Sequence, residues 1–347
     1  MPPVTPATQW QRVTDNFGTS MQAVNAAREV LADAGYHGCA LRVIKVHTHT
    51  SVEVLEETMT GPRGDAVSDT LTVRPPMPYF GGKMNLAKRI VNLLPEHAHY
   101  VEPFAGGLSV LLAKPRVAME TVNDLDGDLM TFWRVLRDRP EDLARVCMLT
   151  PHSRAEHENA YKPAEDELEQ ARRVWVLLTQ GRGSTLRRTG WRFYRNPGDS
   201  GYSMPDYLGA YVRRIHDAAA RLAGVSLECR EGLEVIGDYG KHADVLLYVD
   251  PPYLGSTRSA NYRHELTGED EHRALADALN GCDAAVVLSG YPSPLYEDLY
   301  AGWHRTELRA WTGNGIRGDA TKTDGDRVEV LWSNRPLGDA DLFGGAL

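Results

Sequence analysis

Apolar and polar positions divide this chain into unequal parts. Near the N-terminus, Met21, Val24, Ala27, Val30 and Leu31 recur at helical spacing, so a helix is expected over 19–34, closed by Gly35. Residues 41–46 read as a strand, and the Gly, Pro and Asp of 60–76 read as a linker. The main pattern starts near Pro78. A helix is expected over 84–94, a strand over 99–104, a turn at Ala105-Gly106-Gly107, helical turns over 109–114 and a strand over 116–122 that stops at Asn123-Asp124. Strand, glycine turn, helix, strand and acid in that order make the first half of a doubly wound nucleotide-binding fold. Residues 126–225 then read as mainly helical. Strands return at 226–229, 245–250, 284–289 and 327–333, with a helix over 272–279.

Composition narrows the class. With 347 residues, 42% of them hydrophobic, the chain suffices for one large α/β domain with an insertion, or for two domains. No apolar run approaches a membrane span and no signal-like apolar core opens the chain, so an intracellular protein without membrane contact is expected. Cys39, Cys147, Cys229 and Cys282 lack paired spacing and read as reduced thiols. His47 and His49 have no further ligand pattern around them and read as strand residues, so no metal is expected. A formal charge of −9 argues against non-specific coating of nucleic acid, yet Arg182, Arg187, Arg188, Arg192 and Arg195 fall in one stretch with Trp191, Phe193 and Tyr194. Such a stretch can be a solvated loop. Its arginines and aromatics also make it a nucleic-acid-binding candidate.

The most specific chemistry lies where the strand ending in Tyr248 and Val249 runs into Asp250-Pro251-Pro252-Tyr253. An amine conjugated to an aromatic base is a poor nucleophile, because its lone pair is delocalised. Two fixed acceptors, the Asp250 carboxylate and the Pro251 carbonyl, can draw such an NH₂ toward tetrahedral geometry. The prolines remove backbone donors and stiffen the corner, and the Tyr253 ring offers a stacking face. An ordinary strand-ending turn is the competing reading.

Glu102-Pro103-Phe104-Ala105-Gly106-Gly107 sits at a strand's carboxyl end, where open parallel sheets bind ligands. It lacks the pyrophosphate fingerprint and any lysine-bearing phosphate loop, which suits S-adenosylmethionine, a ligand without phosphates. Glu102 would favour its cationic sulfonium or amino group. Asp124 stands where an acid receives ribose hydroxyls, although helix capping competes, and the two roles can divide between Asp124 and Asp126. Tyr79-Phe80-Gly81-Gly82-Lys83, ahead of the first core helix, can close over an adenosyl group or meet a DNA phosphate.

In this order the motifs resemble the Dam-like (D12 class) DNA adenine N6-methyltransferases. The resemblance spans about residues 78–336 and takes in Leu288-Ser289-Gly290-Tyr291 and Arg327-Val328-Glu329-Val330-Leu331-Trp332. It implies a mostly parallel, Rossmann-like methyltransferase sheet built from residues 76–137 and 226–336. A mainly helical target-recognition insertion would occupy 138–225, a small α/β appendage of unknown role 1–75, and a tail 337–347. It implies Asp250, Pro251, Pro252 and Tyr253 as the catalytic motif. Tyr79, Phe80, Gly81, Lys83, Glu102, Phe104, Ala105, Gly106, Gly107, Asp124 and Glu231, with Asp250, fall on the cofactor side. Two departures stand out: Leu108 where many relatives have a third glycine, and Glu231 where an adenine-contacting acid is usually aspartate. The implied partner is double-stranded DNA, the implied state a cytoplasmic monomer in a bacterial or phage-infected cell. The implied reaction is methyl transfer from S-adenosylmethionine to a flipped-out adenine, the five arginines holding DNA. Transfer to cytosine N4 or an RNA adenine, or a DNA-binding relative without turnover, are the alternatives.

Overall fold

The computed structural model describes residues 41–46, 49–54, 73–194, 203–252, 268–311 and 326–338. The chain divides into two units, residues 1–70 and 71–347. In the first, β1 (Leu41–Val46) pairs antiparallel with β2 (His49–Val54), Leu41 opposite Val54. The helix expected over 19–34 lies outside the described residues.

The second unit is built on a seven-stranded sheet. Its strands are β3 (His99–Glu102), β4 (Met119–Asn123), β5 (Ser226–Glu228), β6 (Val245–Val249), β7 (Ala285–Gly290), β8 (His304–Trp311) and β9 (Asp326–Ser333). They lie in the order β5-β4-β3-β6-β7-β9-β8. The first five are mutually parallel; β9 runs antiparallel to β7, and β8 antiparallel to β9. The chain winds outward from β3 to β5 and then returns to lay β6 on the other side of β3. The order therefore reverses between β3 and β6, the place where doubly wound sheets bind ligands. Every residue of β6 and β7 is buried, which requires their near-continuous apolar sequences. The strands read from the sequence are present with ends that coincide or shift by up to three residues, and β2 and β8 are additional.

Helices cover both faces. One face carries α1 (Ala87–Leu93), α2 (Ser109–Ala113) and α3 (Gly127–Asp138). The helical stretch that follows contains α4 (Pro140–Leu149), α5 (Arg154–Asn159), α6 (Glu167–Gln180), α7 (Met204–Val212) and α8 (Ile215–Leu222). The other face holds α9 (Gly232–Tyr239), α10 (Glu269–Asn280) and α11 (Pro294–Leu299). Among the described residues, no helix is long and apolar enough to cross a membrane.

The helical stretch shares its core with the sheet. Trp133 of α3, Trp175 of α6 and Ile215 and Leu222 of α8 are fully buried in one cluster with Tyr100 of β3. Each such side chain contributes about 1.5–3 kcal/mol when removed from water. Polar groups fix the same docking: Glu120 of β4 accepts two hydrogen bonds from Arg221 of α8, at 2.6 and 2.8 Å, and one from Lys114 at 3.1 Å. Residues 73–76, expected as the end of a linker, are part of this unit. Pro75 and Pro76 are buried, and their carbonyls accept hydrogen bonds from Arg214 (3.1 Å) and Trp175 (3.1 Å). The indole and guanidinium hold the backbone that leads into Tyr79.

Candidate active site

The Glu-Pro-Phe-Ala-Gly-Gly turn follows β3 and Asp250 follows β6, so the two motifs stand side by side where the strand order reverses. Between them opens a cavity of about 300 Å³. Its lining includes Tyr79, Phe80, Gly81 and Lys83 from the loop before α1, the turn from Glu102 to Gly107, and Asp124, Glu231, Asp250 and Pro252. The expected cofactor-side residues thus meet in one place. Pro251 is buried beside them. Tyr253 and Arg195 lie outside the described residues.

The glycine turn is held from several sides. Asn123, fully buried, donates from Nδ2 to the carbonyls of Pro103 and Arg230 (both 2.9 Å) and accepts the Arg230 N–H at Oδ1 (2.9 Å). Trp133 donates from Nε1 to the Gly106 carbonyl at 3.1 Å. Tyr79 lies directly on the turn: a Cβ added at Gly106 would stand 3.0 Å from its Cε1, and one at Gly107 2.9 Å from its Cβ. The glycines therefore admit Tyr79, as well as giving a ligand access to the main chain. Gly106 also has φ +47°, a conformation that favours glycine. The next residue but one, Leu108, adopts φ +52° although it carries a buried side chain. This explains in backbone terms why glycine suits that position. A similar close fit occurs across the cavity, where a Cβ on Gly232 would come within 2.6 Å of Phe104 Cζ.

The two candidate acids after β4 have different work. Asp126 caps α3, accepting the N–H groups of Asp128 (3.0 Å) and Leu129 (3.2 Å). Asp124 accepts the Gly106 N–H at Oδ2 and the Asp126 N–H at Oδ1, both at 3.0 Å. Its carboxylate is thus fixed at the cavity wall.

Glu102 lines the cavity from β3 and is almost fully buried. Burial pushes its carboxyl up to about 8, against the opposing effect of hydrogen bonds from the Tyr100 hydroxyl (2.7 Å) and the Leu111 N–H (2.9 Å), both to Oε1. Asp250 is gripped by Lys83, whose Nζ lies 2.7 Å from each carboxylate oxygen and also donates to the Gly81 carbonyl at 3.0 Å. Lys83 in turn lies 3.6 Å from Glu329 of β9, which accepts a 2.6 Å hydrogen bond from the Ser289 hydroxyl of β7. Burial acts to lower the Lys83 ammonium, but Asp250 and Glu329 outweigh it and the net shift is upward. Lys83 was expected on the cofactor side; the described partners of its side chain are Asp250, Glu329 and the Gly81 carbonyl. Sequence reading assigned no role to Glu329 or Ser289, although a glutamate inside the apolar run Val328 to Trp332 is a signal of a buried partner.

The arginine-rich stretch forms a loop after α6, closed by a bridge between Gly181 and Trp191. None of its described arginines lines the cavity. Arg182 and Arg188 are exposed, the first over the Phe193 ring at 5.8 Å and the second over Tyr161 at 5.2 Å; Arg187 is half-buried. Arg192 is also half-buried, donating to the Tyr207 hydroxyl and, at 3.1 Å, to Ser184 Oγ. It ties the loop to α7. The loop also reaches the cavity's edge, because the Ser184 carbonyl accepts the Phe80 N–H at 2.8 Å. Among the described residues, no cluster of three His, Cys, Asp or Glu side chains is arranged to hold a metal.

Similarity to known proteins agrees with this arrangement. Residues 79–176 match the D12 class N6 adenine-specific DNA methyltransferase family. The type II methyltransferase M1.LlaDCHI of Lactococcus lactis subsp. cremoris is 24% identical over 76% of this chain and 96% of its own length. The retron Ec67 DNA adenine methylase of Escherichia coli is 23% identical over 72% of this chain and 88% of its own length. The DNA N-6-adenine-methyltransferase of Escherichia phage P1 is 26% identical over 72% of this chain but only 34% of itself. Over residues 79–176, then, the chain is similar to the D12 class N6 adenine-specific DNA methyltransferases, and the relatives named above carry the likeness over about three quarters of its length.

Proposed function

We propose that the protein methylates adenine N6 in DNA, using S-adenosylmethionine, at the cavity between β3 and β6. The observation that carries this reading is the charge of that cavity. Among the described residues, Glu102, Asp124, Asp126, Glu231, Asp250 and Glu271 line it against one basic side chain, Lys83, which is paired with Asp250. A phosphate-bearing ligand would meet repulsion there, whereas a nucleoside carrying a sulfonium and an amino group fits the acids, the aromatic rings of Tyr79, Phe80 and Phe104, and the bare glycine turn. Asp124 would receive the ribose hydroxyls. Glu102 would face the cationic end, and Glu231 would share the edge. When bound, S-adenosylmethionine supplies an electrophilic methyl carbon whose bond to sulfur breaks with the electron pair left on sulfur.

The chain's own contribution is to present the amine. Asp250 accepts a hydrogen bond from the NH₂, with the Pro251 carbonyl as second acceptor, so the nitrogen lone pair is directed at the methyl carbon as the C–N bond forms. The positive charge that grows on nitrogen is stabilised by the fixed carboxylate, and one N–H proton leaves afterwards. Holding both partners at reacting distance supplies much of the remaining acceleration. The target adenine is out of reach inside a duplex, so it is extruded into the site, with Tyr253 the candidate stacking ring. We assign DNA contact to the loop carrying Arg182, Arg187 and Arg188, within a recognition segment over 138–225. On this reading the enzyme works as a monomer in the cytoplasm, where its DNA substrate lies.

The test is Asp250→Asn with unmethylated DNA and labelled donor. Methyl transfer should fall by at least about a hundredfold, with donor affinity nearly unchanged. Retention of full transfer would refute the assignment. Digestion of the product to nucleosides should yield N6-methyladenine; N4-methylcytosine would move the substrate to the other amine.

A further inference from the structure

The Asp250 carboxylate is one end of a chain of buried groups that crosses the sheet from β6 to β9 by way of the loop before α1. Ser289 Oγ donates to Glu329 Oε1 at 2.6 Å, Glu329 lies 3.6 Å from Lys83 Nζ, and Nζ lies 2.7 Å from both oxygens of Asp250. Lys83, Glu329 and Ser289 are all buried; Asp250 is the most open of the four, with its side chain 20% exposed. An ammonium equidistant from both carboxylate oxygens sits in the cleft between them. It engages the inner lone pairs, two of the roughly four acceptor positions that a carboxylate offers. The lysine and a substrate amine can therefore share Asp250.

We propose that Lys83, Glu329 and Ser289 are positioning residues for the methyl-transfer step, acting through Asp250 rather than by holding the methyl donor. This rests on Asp250 being the group that receives the amine. Three features of the chain support it. Lys83 prevents rotation of the carboxylate, which a single aspartate at a proline corner could otherwise undergo about its side-chain bonds. Lys83 alone would set a full positive charge beside a nitrogen that becomes positive as the new bond forms, opposing the reaction. Glu329 removes that conflict: one ammonium between two carboxylates leaves a net negative group facing the amine. Ser289 then fixes Glu329 by charge-assisted hydrogen bonding, and β9 must lie antiparallel beside β7 for the two to meet, Ser289 pairing with Leu331 in the ladder.

The experiment compares Asp250→Asn, Lys83→Ala, Glu329→Gln and Ser289→Ala in the full-length protein. It measures single-turnover methyl transfer at saturating donor and DNA alongside equilibrium donor binding. Lys83→Ala should lose about a hundredfold in the transfer rate, and Glu329→Gln about tenfold, while donor affinity stays within about threefold of the parent. Adding methylammonium should restore part of the rate to Lys83→Ala and none to Asp250→Asn. The double variant Asp250→Asn with Lys83→Ala should be no slower than Asp250→Asn alone, because both act at one group. A Lys83→Ala protein that transfers at the parent rate but binds donor tenfold more weakly overturns the proposal, as does an unchanged rate in the near-isosteric Glu329→Gln. If Asp250→Asn itself keeps full activity, the prior assignment of Asp250 fails instead, so the two failures are distinguishable.

Discussion

Tyr79 rests on Gly107 so closely that a single added carbon at the glycine would stand 2.9 Å from the tyrosine's Cβ. Two segments that are separate in the sequence therefore close on each other at the cavity wall, and each fixes the other's position.

Gly107→Ala should consequently displace Tyr79, weaken donor binding by about tenfold or more, and destabilise the protein by about 1–3 kcal/mol through overpacking. Adding Tyr79→Gly, which removes the Cβ that the new methyl meets, should cost less than the sum of the two single substitutions, although it should not restore the binding. Denaturant melts of the two single variants and the double would show this as non-additivity. Simple additivity would mean that the two residues do not press on one another.

Glu102 predicts an unusual dependence on pH. Its folded value of about 8 lies above the ordinary 4.5, so between those values the folded chain holds a proton that the unfolded chain releases. The stability contributed by this group is present at low pH and lost as pH rises through that window. A cationic donor favours the ionised form, so its binding should tighten as pH rises toward about 8 and then level off, with a proton released on binding. Calorimetry in buffers of different ionisation heat measures that proton. Glu102→Gln should abolish both the release and the slope; equal profiles for parent and variant would remove Glu102 from the linkage.

At Leu108 two effects compete. Its left-handed backbone costs roughly 1–2 kcal/mol, and its buried side chain, if truncated, roughly 2–5 kcal/mol. The cavity wins, so Leu108→Gly should destabilise. Leu108→Ala, which loses the side chain and keeps the strain, should be less stable still by about 1 kcal/mol. Thermal melts decide the order, and the reverse order would show that the positive φ carries no strain.

Exposed and tied arginines should behave differently on DNA. Replacing Arg182 and Arg188 with alanine should lower affinity and reduce the slope of log affinity against log salt by about 0.9 for each phosphate left without its cation. Arg192→Ala should lower stability, since it strips partners from Tyr207 and Ser184. A salt slope unchanged in the Arg182 and Arg188 variants would take the loop out of the interface.

Much of this could be read along the chain, because open α/β sheets put chemistry at strand ends. Apolar runs such as 245–249 mark the central strands, and the residues that break them, Asp250 and Gly106, mark the cavity. What escaped was set by pairing between distant segments. The strand His304–Trp311 interleaves charge with apolar residues because it lies at the sheet edge, where one side faces water. Nothing local links Glu329 to Lys83; the antiparallel insertion of β9 between β7 and β8 brings them together. Asp124 and Asp126 carry identical side chains two residues apart and both line the cavity, and only the position of α3 makes Asp126 the capping acid and leaves Asp124 to hold the glycine turn.

Pro75 and Pro76, anchored by Arg214 and Trp175, constrain any exchange of specificity between relatives. A chimera that imports a foreign segment over 138–225 but keeps the native residues before Tyr79 would lose those anchors and loosen the wall of the cavity. On the proposed reading, in which 138–225 holds the recognition segment, grafts intended to change the DNA word should therefore carry residues 73–83 with them.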